Sequence, residues 1–118
     1  MWRNSVCINT LIGHSSSVRS LTVLPNGNLC SGSATIKIWN DGICVSTLKG
    51  HAGSVRCLIV LPNGDLCSGS EDKTIKVWRK GVCVNTLVGH GGVVVCMAVL
   101  PNGCFCSGSW DHTIMIWE

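Results

Sequence analysis

Ser68-Gly69-Ser70-Glu71-Asp72-Lys73-Thr74-Ile75-Lys76-Val77-Trp78 is the stretch whose reading decides the fold. A small polar Ser-Gly-Ser leads into an acidic turn, and the turn leads into a β-branched run that closes on tryptophan. The same order returns in Ser107 to Trp117, and in a shorter form in Ser31-Gly32-Ser33-Ala34-Thr35-Ile36-Lys37-Ile38-Trp39. Trp39, Trp78 and Trp117 are spaced 39 residues apart, and Trp2 precedes Trp39 by 37. Gly13-His14, Gly50-His51 and Gly89-His90 keep this register, as do the Leu-Pro-Asn-Gly runs beginning at Leu24, Leu61 and Leu100. Four markers in step across the whole chain define three tandem units, approximately 5–39, 43–78 and 82–117.

Each unit has strand character. In the first, Val18 to Leu24, Leu29 to Ser33, Thr35 to Trp39 and Ile43 to Leu48 are short, rich in β-branched residues and bounded by Gly, Asn, Pro and Asp. Proline presets φ at the first corner of the Pro-Asn-Gly turn, and Asn-Gly tolerates positive φ at the next, so that turn closes a hairpin. Four short strands per unit, with no helical period, make an all-β blade. Such a blade needs neighbours on both faces.

On these motifs the chain resembles the WD40 β-propeller family along its whole length. The resemblance implies three four-stranded antiparallel blades, forming a partial propeller or half of a six-bladed ring made by two chains. Two departures stand out. The residue after each repeated tryptophan is Asn40, Arg79 or Glu118, where the family name carries Asp. The first unit is two residues shorter and lacks the turn Asp.

The resemblance also gives the polar residues a structural role. In the family, the His, a Ser, the turn Asp and the Trp are linked by hydrogen bonds that staple a blade. By matching positions these are His51, Ser68, Asp72 and Trp78 in the second unit, and His90, Ser107, Asp111 and Trp117 in the third. The first unit keeps His14, Ser31 and Trp39. A hydrolase needs one exposed, activated Ser, whereas three copies at blade spacing suit a staple, and no Gly-x-Ser-x-Gly elbow is present. No catalytic residue is assigned. Without an Asp to orient His14, the first blade loses a charged hydrogen bond worth roughly 1.5–3 kcal/mol where buried, and is expected to be the loosest.

Composition narrows the remaining roles. With 46% hydrophobic and 13% charged residues, the sequence belongs with folded chains. The longest apolar run, Val93 to Leu100, is far short of a membrane span, and the first residues lack an apolar signal core. A net charge of +3, with Lys73, Lys76, Arg79 and Lys80 spread over a strand and a turn, argues against nucleic acid as the main partner. The nine cysteines fall mostly at repeated slots inside apolar strands: Cys7, Cys44 and Cys83; Cys30, Cys67 and Cys106; Cys57 and Cys96. They read as reduced core residues in a reducing compartment, cytoplasm or nucleus. No C-x-x-C occurs, and Cys104 with Cys106 makes a poor zinc site, so neither metal nor cofactor is expected.

The expected function is therefore a non-enzymatic interaction scaffold or adaptor that binds a peptide or protein. Matching positions put Ser17, Arg19, Ser54, Arg56, Glu71 and Trp110 on the face that such rings use for binding. Trp110 lies outside the repeated register, and Arg19 and Arg56 are set against Val94 in the third unit. The chain opens on a lone outer strand, Val6 to Leu11, and ends on three inner strands. Two copies are therefore expected to exchange strands head to tail into a homodimeric six-bladed ring. The alternative is a structural, self-assembling propeller fragment or engineered repeat without a natural ligand.

Overall fold

The computed structural model describes residues 6–118; Trp2, and Ser5 at the start of the first unit, lie outside the described residues. Eleven strands follow in order. They are β1 (Ser20–Val23), β2 (Leu29–Gly32), β3 (Ile36–Asn40) and β4 (Ile43–Leu48); β5 (Val55–Val60), β6 (Leu66–Ser70), β7 (Thr74–Arg79) and β8 (Val82–Val88); and β9 (Val94–Val99), β10 (Phe105–Ser109) and β11 (Ile114–Trp117). Each group is one antiparallel meander in chain order and forms one blade; β4 and β8, the fourth strands of the first two blades, fall at the start of the second and third sequence units. The third blade has three strands among the described residues, the three inner strands on which the chain ends.

The turns explain why these strands reverse where they do. Gly27, Gly64 and Gly103 carry φ of 88°, 92° and 89°. Gly27 N donates to Leu24 O at 2.8 Å and Leu24 N to Asn28 O at 2.9 Å, the pattern of a three-residue hairpin with glycine in the left-handed position. The Asn26 carboxamide accepts from Asn28 N at 3.0 Å and locks the bend. At the β7–β8 turn, Lys80 and Gly81 take φ of 52° and 80°, which matches the twist of the flanking strands.

The core lies between blades. One cluster joins Cys30, Ile36 and Leu48 of the first blade to Val55, Leu58, Leu66 and Trp78 of the second. The other joins Cys57, Cys67, Ile75 and Val77 of the second to Val94 and Phe105 of the third. Val55 N also donates to Ser33 O across the first junction at 2.7 Å. The same slots change character at the outer faces. Ile36 and Ile75 are each 1% exposed, but Ile114 is 76% exposed. Val55 and Leu58 are 1% and 8% exposed, but their counterparts Val18 and Leu21 are 51% and 62% exposed.

One expected strand is absent. Residues 6–11 join no sheet, because the outer strand they resemble needs the edge of another blade as its partner. The segment nevertheless keeps outer-strand geometry. Cys7 Sγ donates to Asn9 O at 3.3 Å, as Cys44 does to Ser46 O at 3.4 Å and Cys83 to Asn85 O at 3.3 Å. A Cβ on Gly42 would lie 3.5 Å from Leu11 Cδ2, and one on Gly81 would lie 3.8 Å from Leu48 Cδ2. Leu11 thus stands to the first blade as Leu48 stands to the second.

Candidate functional site

Three polar chains run through the blades. In the second, Trp78 Nε1 donates to Ser68 Oγ at 2.8 Å, Ser68 Oγ lies 2.7 Å from His51 Nε2, and His51 Nδ1 lies 2.8 Å from Asp72 Oδ2. With neutral His51, every proton points one way, from indole through hydroxyl and imidazole to carboxylate. The third blade repeats the set with Trp117, Ser107, His90 and Asp111 at 2.8, 2.7 and 2.9 Å. In the first, His14 Nε2 meets Ser31 Oγ at 2.5 Å and Trp39 Nε1 reaches the same oxygen at 2.9 Å. No carboxylate faces His14 Nδ1 among the described residues.

Strand pairing sets this geometry. Ser68 on β6 lies across from Lys76 on β7, which brings the Trp78 indole, two residues further along β7, back over the hydroxyl. The glycine of each Gly-His pair lets the chain pass the ring edge: a Cβ on Gly50 would lie 3.2 Å from Trp78 Cη2, and one on Gly13 3.0 Å from Trp39 Cη2. Burial is the largest influence on His51 and pushes its pKa down, against the raising effect of Asp72. Burial also pushes His14 down, helped by Lys37. For Asp72, burial raises the pKa, but hydrogen bonds from Thr74, His51 and the backbone of Thr74 and Ala52 outweigh it and hold the carboxyl at about 2.

Thr74 and Thr113 belong to these networks and went unassigned in the sequence. Thr74 Oγ1 donates to Asp72 Oδ1 at 2.7 Å and Thr113 Oγ1 to Asp111 Oδ1 at 2.6 Å. The repeated Asp-x-Thr spacing was the available signal. A second omission is the Asp65–Arg79 pair, in which Arg79 Nε and Nη2 reach the two carboxylate oxygens at 3.0 and 2.8 Å. The arginine after Trp78 replaces the family's Asp and makes its own partner inside the blade.

The end of the molecule that carries the Asp72 and Asp111 turns gathers a different group. Arg56 donates two hydrogen bonds to Glu71 Oε2, the one from Nε at 2.8 Å. Its guanidinium carbon lies 5.0 Å from the centre of the Trp110 ring, in a cation–π contact that bridges the second and third blades. Trp110 is nonetheless 58% exposed. Ser54 joins the same turn through its carbonyl, which accepts from Glu71 N at 2.9 Å. Ser17, Val18, Arg19, Arg56 and Val95 line a groove of about 300 Å³ beside this group. Val95, and not Val94, occupies the slot of Arg19 and Arg56. Val94 is fully buried at the blade junction, because side chains alternate along β9.

Among the described residues, no group of His, Cys, Asp and Glu is placed to hold a metal ion. Nor is any helix among them long and apolar enough to cross a membrane.

Comparison with known proteins agrees with this architecture. The family described as WD domain, G-beta repeat matches three times, over residues 5–40, 42–79 and 81–118, and the chain belongs to it. The solved WD40 β-propeller domain of Doa1 superposes with a TM-score of 0.91 at 31% identity, over 99% of this chain. The chain spans 42% of that solved chain. No curated protein matches the sequence. WD40 propellers generally mediate protein–protein interaction and are typically non-enzymatic scaffolds. Because 674 solved chains match, the likeness fixes the fold, and function has to be sought in the residues of this surface.

Proposed function

We propose that this chain is a protein-interaction scaffold whose partner seats on the end formed by Arg19, Arg56, Glu71 and Trp110. The observation that carries the reading is the Trp110 ring, solvent-exposed yet held against Arg56, which Glu71 fixes in turn. Aromatic and arginine anchors contribute most where they are already ordered, since binding then costs little side-chain entropy. Ser17 and Ser54 flank the site and complete its polar rim. A hydrolytic role is disfavoured by the burial of Ser68 and Ser107, 0% and 1% exposed, whose hydroxyls are engaged by Trp and His. The free cysteines at strand slots support a reducing compartment such as the cytoplasm.

Selection of displayed peptides on the full chain tests the reading. Recovered peptides should lose binding with Trp110→Ala and Arg56→Ala and keep it with the remote Lys49→Ala. Binding that is indifferent to Trp110→Ala would remove this end of the molecule from consideration.

A second reading, self-assembly, rests on the two outer faces. Ile114 presents to solvent what Ile75 presents to Val94, and Val18 with Leu21 presents what Val55 with Leu58 presents to the first blade. A second copy docked head to tail would repeat the internal junction twice and close six blades, a number within the range of propellers. Residues 6–11, already in outer-strand geometry, would complete the partner's third blade. Light scattering across a concentration series should give a two-chain mass. A persistent one-chain mass would leave those faces to other blades.

A further inference from the structure

Resting on the scaffold reading above, we infer that the groove beside Arg19 accepts an acidic peptide, with an Asp or Glu side chain held between Arg19 and Arg56 and an adjoining apolar residue against Val95 and the Trp110 ring. Three equivalent positions on neighbouring blades converge there as two guanidiniums and one isopropyl group. Arg56 is spoken for by Glu71, and its charge is largely answered. Arg19 is exposed, and its side chain has no acceptor among the described residues.

Two cations against one carboxylate leave the group with a surplus positive charge. The field of Arg19 adds to the larger effect of the Arg56 hydrogen bond in holding Glu71 ionised. An arginine presents paired donors that match a carboxylate. A nucleic acid would ask for a row of cations at phosphate spacing, and here a valine occupies the third position. Val95 and Trp110 give the site an apolar side, so a lone anion would leave half of it unused.

C-terminally amidated nonapeptide libraries test this, with the central residue fixed as Asp/Glu, Lys/Arg or Ala and binding measured to the full chain. Amidation removes the terminal carboxylate as a competing source of charge. The acidic library should be retained at least about tenfold over the alanine library. Arg19→Ala should erase that preference, Arg19→Lys should keep part of it, and Arg19→Glu should turn it toward the basic library. Arg19 is exposed, and unchanged thermal melting of the variants checks that their fold is intact. Peptides that depend on Trp110 but show no acidic preference would overturn the inference and leave the scaffold reading standing. No retention of any library, or displacement of the acidic one by a mixed-sequence oligonucleotide, would overturn both.

Discussion

Asp72 meets His51 at 2.8 Å, while His14, at the same station of the first blade, faces no carboxylate among the described residues. Two residues missing from the Ser33-Ala34-Thr35 turn account for the difference, and they take a second bond with them. In the complete turns, Ser70 Oγ and Ser109 Oγ each accept the backbone N–H of the Asp at 3.1 Å. Ser33 has no such donor: its hydroxyl is fully buried and unpartnered. One short turn therefore leaves the buried Ser33 hydroxyl unsatisfied among the described residues, a costlier state than a bond exchanged with water, and leaves the partly exposed His14 without its carboxylate.

Removing Asp72 should reproduce the missing His–Asp bond in the second blade, while the backbone N–H of residue 72 still serves Ser70 Oγ. Its carboxylate, only 12% exposed, accepts from His51, from the Ala52 amide and from both donors of Thr74. Asp72→Ala should cost about 2–3 kcal/mol and lower the melting temperature by about 10 °C. A calorimetric scan within a degree or two of the parent would show that the staple adds little.

Rebuilding the turn should work in the other direction. Replacing Ala34 with Glu-Asp-Lys gives the first blade the length of the second, an oxygen for His14 Nδ1 and a donor for Ser33 Oγ. The gain should be about 1–2 kcal/mol in urea unfolding, with the slope unchanged. A loss would mean that the short turn has repacked around its own Ser33 N to Thr35 O bond.

Much of this was legible in the sequence because the repeat places each polar residue beside its three-dimensional partners. A 39-residue register, together with the pairing of β6 and β7, is enough to bring Ser68, Trp78 and His51 to one point. What sequence alone missed depends on the path of neighbouring strands. Arg79 reads as one member of a loose basic cluster until β6 sets Asp65 opposite it. Trp110 reads as an isolated aromatic until the third blade carries it over Arg56. The segment 6–11 has an outer strand's composition, but it joins no sheet, because pairing depends on which blade edge the fold brings beside it.

Acid should weaken the fold in two stages. Folded His51 and His14 hold their protons less readily than the unfolded chain, chiefly because burial disfavours the charged ring. Their contribution is complete above pH 6.5 and is lost as pH falls through the lowered folded values. Asp72, held at about 2, contributes fully above its ordinary 3.8 and fades between there and about 2; Asp111 is lowered in the same sense, with Thr113 the leading cause. Urea midpoints should therefore fall from pH 7 to 5 and again below pH 4. A midpoint that rises on acidification to pH 5 would contradict neutral, buried histidines.

Ser20 is a defect that a single atom can correct. It occupies the β1 slot where the other blades carry Cys57 and Cys96, and its hydroxyl is buried with no partner among the described residues. A thiol in that slot behaves as a small apolar group. Ser20→Cys should stabilise by about 1 kcal/mol, read as a shifted urea midpoint. A decrease would indicate that the backbone beside Gly32 is too tight for sulfur, since a Cβ on Gly32 would already lie only 2.4 Å from Ser20 Oγ.

Thiol labelling separates the buried slots from the exposed ones and reports on the outer faces in one experiment. Cys30, Cys57 and Cys67 are buried, and burial pushes each thiol up to about 12, so little thiolate exists to react at pH 8. Cys7 and Cys96 are exposed. Mass-resolved alkylation of the native protein should modify Cys7 and Cys96 first and the buried three only at the rate of unfolding. Cys96 holds in the third blade the slot that Cys57 holds in the second, where the next blade covers it. In a two-chain ring Cys96 should therefore become protected as concentration rises, while Cys44 and Cys83 on the outer strands keep their rates. Fast labelling of Cys30 would contradict the packed junction between the first two blades, and Cys96 reactivity independent of concentration would count against the ring.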